Sequence, residues 1–201
     1  MKKFTLFFAA LSFTFSFSQG TETFTNQNAP GNTYANGSFV GDSGITWTYV
    51  KSREASSSNS QGLVNPPGLM LQKSSVGSKV TSSTISGGIG NFSVKVYKGY
   101  TGGGNRQVEL FVNSVSYGTS VAFDNFDEHI FSVNDINIAG DIVIEIASTV
   151  SKQTVVDDIT WTAYTASNDL TVASDQTISS DVNYDNVTVN AGNTLTLAKT
   201  G

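Results

Sequence analysis

Two carboxylates in succession, Asp157 and Asp158, interrupt an apolar alternation in the segment QTVVDDITWTAY, residues 153–164. Paired carboxylates carry glycoside hydrolysis when they flank a glycosidic bond. Neighbouring strand residues point to opposite faces, so this pair is not expected to close on one bond. Glu109 and Glu145 each stand opposite an apolar face and read as solvent-side strand residues. The single histidine, His129, lies in the run Asp127-Glu128-His129-Ile130. A Ser-His-Asp triad would need a serine placed beside it, and the chain has no G-x-S-x-G elbow to do so. His129 therefore reads as an exposed strand-edge residue. With no cysteine, disulfides, thiolate metal sites and cysteine nucleophiles are all excluded. These residues predict a protein that is not an enzyme over this stretch.

Binding chemistry has better candidates. A glycan site needs ring faces for sugar C–H groups and polar atoms for hydroxyls. Trp47 alternates with Ile45 and Tyr49, and Trp161 follows Ile159 at i+2, which places both indoles on core faces. Tyr100 and Tyr117 flank turns and are the exposed rings on this reading. Arg106, at the mouth of the Gly102-Gly103-Gly104 loop, either meets a sugar hydroxyl or carboxylate or pairs with Glu109 or a neighbouring Asp. That glycine run has no Lys-Ser/Thr after it and opens no helix, so it is a hairpin turn and not a phosphate cradle.

The elements that must position these residues are strands. Alternation recurs over 22–25, 33–40, 44–50, 68–73, 79–85, 91–98, 106–113, 129–133, 141–147 and 154–164, bounded by Gly, Asn and Ser. The clearest cases are Phe92, Val94 and Val96, then Val108, Leu110 and Val112, then Ile142, Ile144 and Ile146. A long polar connection, 52–67, reads as a binding loop or as mobile surface. About ten short strands at this spacing predict an all-β, two-sheet antiparallel β-sandwich over 19–165.

At the small polar linker 165–169 the chain changes character, and 166–201 read as a second element. Val187 and Val189, then Leu195 and Leu197, form short alternating pairs separated by Asn190, Ala191 and Gly192. This is the strand–corner–strand pattern of a β-solenoid coil. Roughly three or more stacked repeats are needed to bury such a coil's apolar face. Two at most are visible, so the chain is expected to be the front of a longer protein.

At the other end, Lys2 and Lys3 precede an apolar stretch, with Ser16 and Ser18 ahead of Gln19. That is the pattern of a cleaved secretory signal over 1–18, too short and too rich in Ser and Thr for a membrane span. It predicts an extracellular or cell-surface location, with no membrane insertion after cleavage. Loss of the two lysines takes the formal charge from −5 to −7. An acidic chain without a basic cluster excludes nucleic acid as the expected partner. The 38% of hydrophobic residues suffice for a core without disulfides.

The segments GSFVGDSGITWTYVKSR (37–53), GNRQVELFVN (104–113) and QTVVDDITWTAY together resemble a β-sandwich module near the N-terminus of exported bacterial multidomain proteins. That module is similar to galactose-binding-like jelly rolls. The resemblance implies a jelly-roll-like sandwich and a carbohydrate-binding or adhesive role, with a glycan or cell-surface polymer as partner. It also implies a structural calcium ion shared by an acidic residue near the first strand and one near the last. Those positions here are Glu22 and Asp157, with Asp158 in reserve; otherwise the two aspartates bond turn amides. Two other roles remain open: an accessory domain of an exported hydrolase whose catalytic part lies beyond Gly201, or a structural N-terminal cap for the solenoid.

Overall fold

The computed structural model describes residues 19–60, 62–63, 65–167, 169–179 and 184–198. The predicted signal segment lies outside them. The chain divides into two units, Met1–Tyr164 and Thr165–Gly201.

In the first unit eleven strands form one antiparallel network: β1 (Gly20–Glu22), β2 (Ala35–Val40), β3 (Thr46–Ala55), β4 (Gly68–Leu71), β5 (Lys79–Ser82), β6 (Phe92–Lys98), β7 (Val108–Val112), β8 (Val115–Thr119), β9 (His129–Val133), β10 (Ile144–Ser148) and β11 (Thr154–Trp161). Along it the order is β8-β7-β10-β5-β3-β4-β11-β6-β9, with β2 on β3 and β1 on β11. The network is a two-sheet sandwich, as the alternation predicts. One sheet is built on β8, β7, β10 and β5, the other on β4, β11, β6 and β9. Strand β3 serves both, because β5 pairs with its Trp47–Val50 stretch and β4 with its Ser52–Ala55 stretch.

That sharing depends on one residue. Lys51 lies between the two stretches and adopts φ 47°, a left-handed conformation costly for a side chain other than glycine's. It shifts the in–out alternation by one position. Before it, Trp47 and Tyr49 face the core; after it, Ser52 pairs with core-facing Leu71, and Arg53 pairs with Met70 on the other side. Uninterrupted alternation would have driven the Arg53 guanidinium into the apolar interior.

The core lies between the sheets. Val80, Leu110 and Ile144 come from one side and Val94, Val156 and Ile159 from the other, all wholly buried. Trp47 and Trp161 meet within it, ring centroids 6.4 Å apart and planes inclined at 63°, an edge-to-face arrangement that aromatic quadrupoles favour. Both indoles are core, as their spacing predicts. A smaller cluster of Ala55, Leu63, Met70, Tyr97 and Val155 packs on the outer face of the β4-β11-β6-β9 sheet, beneath the 56–67 connection.

One strand is invisible in the sequence. β8, Val-Ser-Tyr-Gly-Thr, has no buried residue and pairs with β7 through a two-residue turn at Asn113 and Ser114. Both have positive φ, 50° and 66°, the primed hairpin geometry that matches strand twist. Serine in place of the usual glycine hides that turn.

In the second unit, β12 (Leu170–Val172) pairs parallel with β14 (Val187–Val189), and β13 (Gln176–Ile178) parallel with β15 (Leu195–Leu197). Thr171 stacks on Thr188 and Thr177 on Thr196.

Truncation of Trp47 to Ala is expected to cost about 3–5 kcal/mol, the range for a buried aromatic. Urea denaturation measures it, and a loss below about 1 kcal/mol would show that the indole does not join the sheets.

Candidate functional site

The outer face of the β4-β11-β6-β9 sheet collects the chemistry, and a bulge in β11 sets its pattern. Asp157 pairs with Lys95 and Thr160 with Ser93, so β11 spends one more residue than β6 over this interval. Asp158 takes up the excess with φ 45°. The bulge lets Val155, Asp157 and Thr160 share the outer face while Val156, Ile159 and Trp161 face the core.

Three bands result. At one end is the small apolar cluster under the 56–67 connection. Next comes a charged band, where Lys95 Nζ lies 3.0 Å from Asp158 Oδ2 and 3.5 Å from Glu128 Oε2. Tyr97 Oη donates to Glu128 Oε2 at 2.5 Å. The Asp158 hydrogen bond foremost, with the Asp158 and Glu128 charges, holds the Lys95 ammonium above its ordinary range. The adjacent carboxylates do not splay to opposite faces as a regular strand would require. The bulge instead brings both beside Lys95. Asp157 is buried, its Oδ1 accepts from the Asp158 N–H at 2.9 Å, and its Oδ2 has no partner. Burial first, then the charge of Asp158, raises its carboxyl to about 7.

The third band is hydroxylic. Thr21, Thr160, Ser93 and Ser132 stand in register across β1, β11, β6 and β9. Ser93 and Thr160 share a hydrogen bond of 2.7 Å. Asn91, Asn134, Asp42 and Ser43 rim the band, and together they form an open cleft of about 740 Å³. Asp42 is held at its edge by the Thr23 backbone N–H at 2.9 Å and by the Thr23 hydroxyl. The sequence reading missed this band, because Ser and Thr alternating with apolar residues are the ordinary dress of any solvated strand face. The usable signal was their coincidence in register, which only pairing reveals.

The ligand residues expected from sequence are dispersed. Arg106 is only 1% exposed and has no N–H left to offer. Its Nε donates to Gln153 O at 3.2 Å, Nη1 to Asp124 Oδ1 at 2.8 Å and to Gly104 O, and Nη2 to Gly99 O and Gly102 O, each at 2.8 Å. All five donors of the fork are consumed inside the protein. Arg106 is thus a staple for the glycine loop, and its acidic partner is Asp124 rather than Glu109. Tyr117 on β8 packs half-buried against the main core, which uses the ring for packing. Tyr100 is different: with φ 58°, it sits half-buried beside Tyr34 and Arg53.

The calcium pair also separates. Glu22 is wholly buried and pairs with core-facing Ile159, whereas Asp157 faces outward. Glu22 accepts from the Phe24 N–H at 2.7 Å and the Asp42 N–H at 3.2 Å, and burial raises its carboxyl despite them. Carboxylates on opposite faces of one sheet cannot share an ion, so Glu22 and Asp157 do not fit the implied site, and Asp158, drawn to Lys95, does not mend it. Among the described residues no group of three or more His, Cys, Asp or Glu is placed to hold a metal ion. His129 stacks on Phe123 with ring centroids 4.0 Å apart, and its Nε2 lies 2.5 Å from Asn125 Oδ1, an amide rather than a nucleophile.

No family model matches the chain, and no curated protein matches it. Solved structures do. One is the CBM36-1 domain of a multidomain xylanase from the hindgut metagenome of Trinervitermes trinervoides, at 12% identity and TM-score 0.44, covering 74% of this chain and all of that one. A CBM35 from Paenibacillus barcinonensis matches at 18% and 0.42, covering 58% and 92%. A carbohydrate-binding module CBM36 in complex with calcium and xylotriose matches at 17% and 0.41, covering 58% and 98%. At such likeness, the chemistry of the site rests on this chain's own residues.

Two outcomes follow. Arg106→Lys keeps the charge but leaves several backbone carbonyls of the loop without their donor, and is expected to destabilise by about 2–4 kcal/mol in urea denaturation; an unchanged midpoint would contradict the staple. Asp157 keeps its proton when folded up to about pH 7, while the unfolded chain releases it near 3.8. The native state binds the extra proton in that window, so this group's contribution to stability falls as pH rises through it and levels off above. Asp157→Asn is expected to flatten the slope of melting temperature between pH 5 and 7; an identical slope in both proteins would refute the assignment.

Proposed function

We propose that the sandwich is a non-catalytic carbohydrate-binding module whose ligand lies in the hydroxyl-lined cleft. The carrying observation is the in-register row Thr21, Thr160, Ser93 and Ser132 beneath an open cleft of about 740 Å³, a size within the range of small-ligand sites. Hydroxyls and amides both donate and accept, which matches a sugar's own hydroxyls. Among the described residues no exposed ring underlies the row: Trp161 and Phe92 line the cleft, but their side chains are buried in the core. That favours weak recognition of a polymer by hydrogen bonds over tight capture of one sugar.

On this reading the protein is exported through its signal segment and works outside the cell or on its surface. The second unit begins a β-solenoid, with 19–165 as the module and 166–201 as the first coils. Like stacking on like in parallel register supports it: threonine on threonine, Leu170 on Val187, Ile178 on Leu197. Val189 and Leu197 are 44% and 75% exposed, as apolar coil residues are when only two coils stack. The module then presents those coils, or delivers an associated hydrolase, to a glycan surface.

A glycan array probed with the full chain tests the reading, and silence over a broad panel of neutral polysaccharides would leave only a scaffolding role. Ser93→Tyr, which fills the row with a ring, is expected to lower affinity for any neutral glycan found by about tenfold or more. As a surface change it should leave stability within about 1 kcal/mol. Undiminished binding would move the ligand elsewhere.

A further inference from the structure

We propose a second binding site, at Tyr34, Arg53 and Tyr100, that takes an anionic sugar unit, its carboxylate or sulfate ester held by the Arg53 guanidinium. The inference rests on the carbohydrate-binding reading and adds the ligand class of a site separate from the hydroxyl cleft, none of whose lining residues it shares.

Charge pairing distinguishes Arg53 from the chain's other arginine, Arg106. Lys79, Lys95, Lys98 and Arg106 each have a carboxylate within 4 Å. Among the described residues, Lys51, exposed, and Lys73 and Lys152, half-buried, have no ion pair either, but an ammonium lacks the planar fork of a guanidinium. Arg53 is half-buried on β3 and, among the described residues, has no carboxylate partner. Its one side-chain hydrogen bond among the described residues runs from Nη1 to Tyr100 Oη, at 2.6 Å. Nε is buried with no acceptor. Nη2 has no hydrogen-bond partner among the described residues. A guanidinium with five donors and one acceptor in place is an incomplete interaction. An oxyanion across Nη1 and Nη2 completes it in the fork geometry that carboxylates and sulfates share.

The surroundings hold the fork still. The guanidinium carbon lies 5.8 Å from the ring centroids of both Tyr34 and Tyr100, within cation–π range of each. Tyr34 Oη donates to Met70 Sδ at 3.3 Å, and burial, with Tyr100 close by, keeps its phenol protonated well above the usual range. Tyr100 is pinned in its left-handed conformation by its backbone N–H, which donates to Asn59 O at 2.8 Å. The ring pair also supplies what a bare arginine lacks, apolar surface beside the charge for the C–H face of a sugar ring. Both causes of Arg53's position, the parity shift at Lys51 and the clamp on Tyr100, use backbone conformations costly for side-chain-bearing residues. The chain's net negative charge opposes an anion only at long range, since the Debye length is about 10 Å at 0.1 M salt.

Isothermal titration of the full chain with tetragalacturonate, with a sulfated dextran oligosaccharide and with its unsulfated parent tests the proposal. Binding of at least one anionic probe is expected, with the parent at least about tenfold weaker. Tetragalacturonate alone would identify the carboxylate as the source, sulfated dextran alone the sulfate. Arg53→Met should abolish that preference and Arg53→Lys should reduce it about tenfold, because the ammonium lacks the fork. Both variants should retain the neutral-glycan binding of the cleft, which also reports that they are folded; Tyr100→Phe, removing only Oη, is the milder check should Arg53→Met not fold. No binding of either anionic probe, or equal binding by wild type and a folded Arg53→Met, overturns the proposal. Neutral glycans bound without an anionic preference defeat this inference alone, whereas an anionic preference with no neutral binding and no effect of Ser93→Tyr defeats the cleft reading and leaves the arginine site standing.

Discussion

A strand can show each side chain to only one of two faces, and the extra residue in β11 breaks that rule where the sandwich needs it broken. Between Asp157 and Thr160 the strand gains a residue on β6, and its outward set changes from odd to even numbers. Everything on that sheet's two faces depends on this step. Were the alternation unbroken from Val155, Ile159 and Trp161 would point to solvent and Thr160 into the core. The Trp47–Trp161 contact and the hydroxyl row would be lost together. Lys51 performs the corresponding step in β3, with the same consequence for Trp47 on one side of it and Arg53 on the other.

The polar interior follows a second logic, in which a charge is either consumed or left open. Arg106 is consumed: its donors go to four backbone carbonyls and Asp124, so the charge stiffens a glycine-rich loop that has little side-chain packing of its own. Lys98 reinforces the same corner, reaching Asp124 Oδ1 at 2.8 Å, and its hydrogen bond is the largest influence lowering the Asp124 carboxyl. Arg53 is left open. Two arginines of one sandwich, one with every N–H bonded and one with a single bond, contrast a structural cation with a receptive one. A polar group held short of its partners in a folded protein calls for an explanation.

Much of the architecture was legible in the strand patterning. Phe92, Val94 and Val96, and likewise Val108, Leu110 and Val112, line the core as their alternation requires, and both indoles are buried as their i+2 neighbours imply. β8 was not legible, because a strand with only Tyr117 half-buried carries no hydrophobic period. The candidate site was legible only in fragments. Tyr100 is recognisable from its turn, but the sequence points to Arg106 and not to Arg53, because proximity to a glycine loop is visible in sequence, whereas the pairing state of a guanidinium is not. Glu22 and Asp157 looked like partners by their places at the first and last strands. A strand's place in the chain says nothing about which face its residue takes.

The sequence by itself determined an all-β sandwich without disulfides, the identity of its core residues and a change of pattern after Tyr164. Those properties follow from composition and short-range period, which act within a few residues. The tertiary structure decided which polar residues meet: Thr21, Thr160, Ser93 and Ser132 come from four strands, and Tyr34, Arg53 and Tyr100 from three separate segments. Pairing register and the bulges that shift it set those meetings. Both are long-range quantities, selected by how the whole chain buries its apolar faces, and no local window contains them.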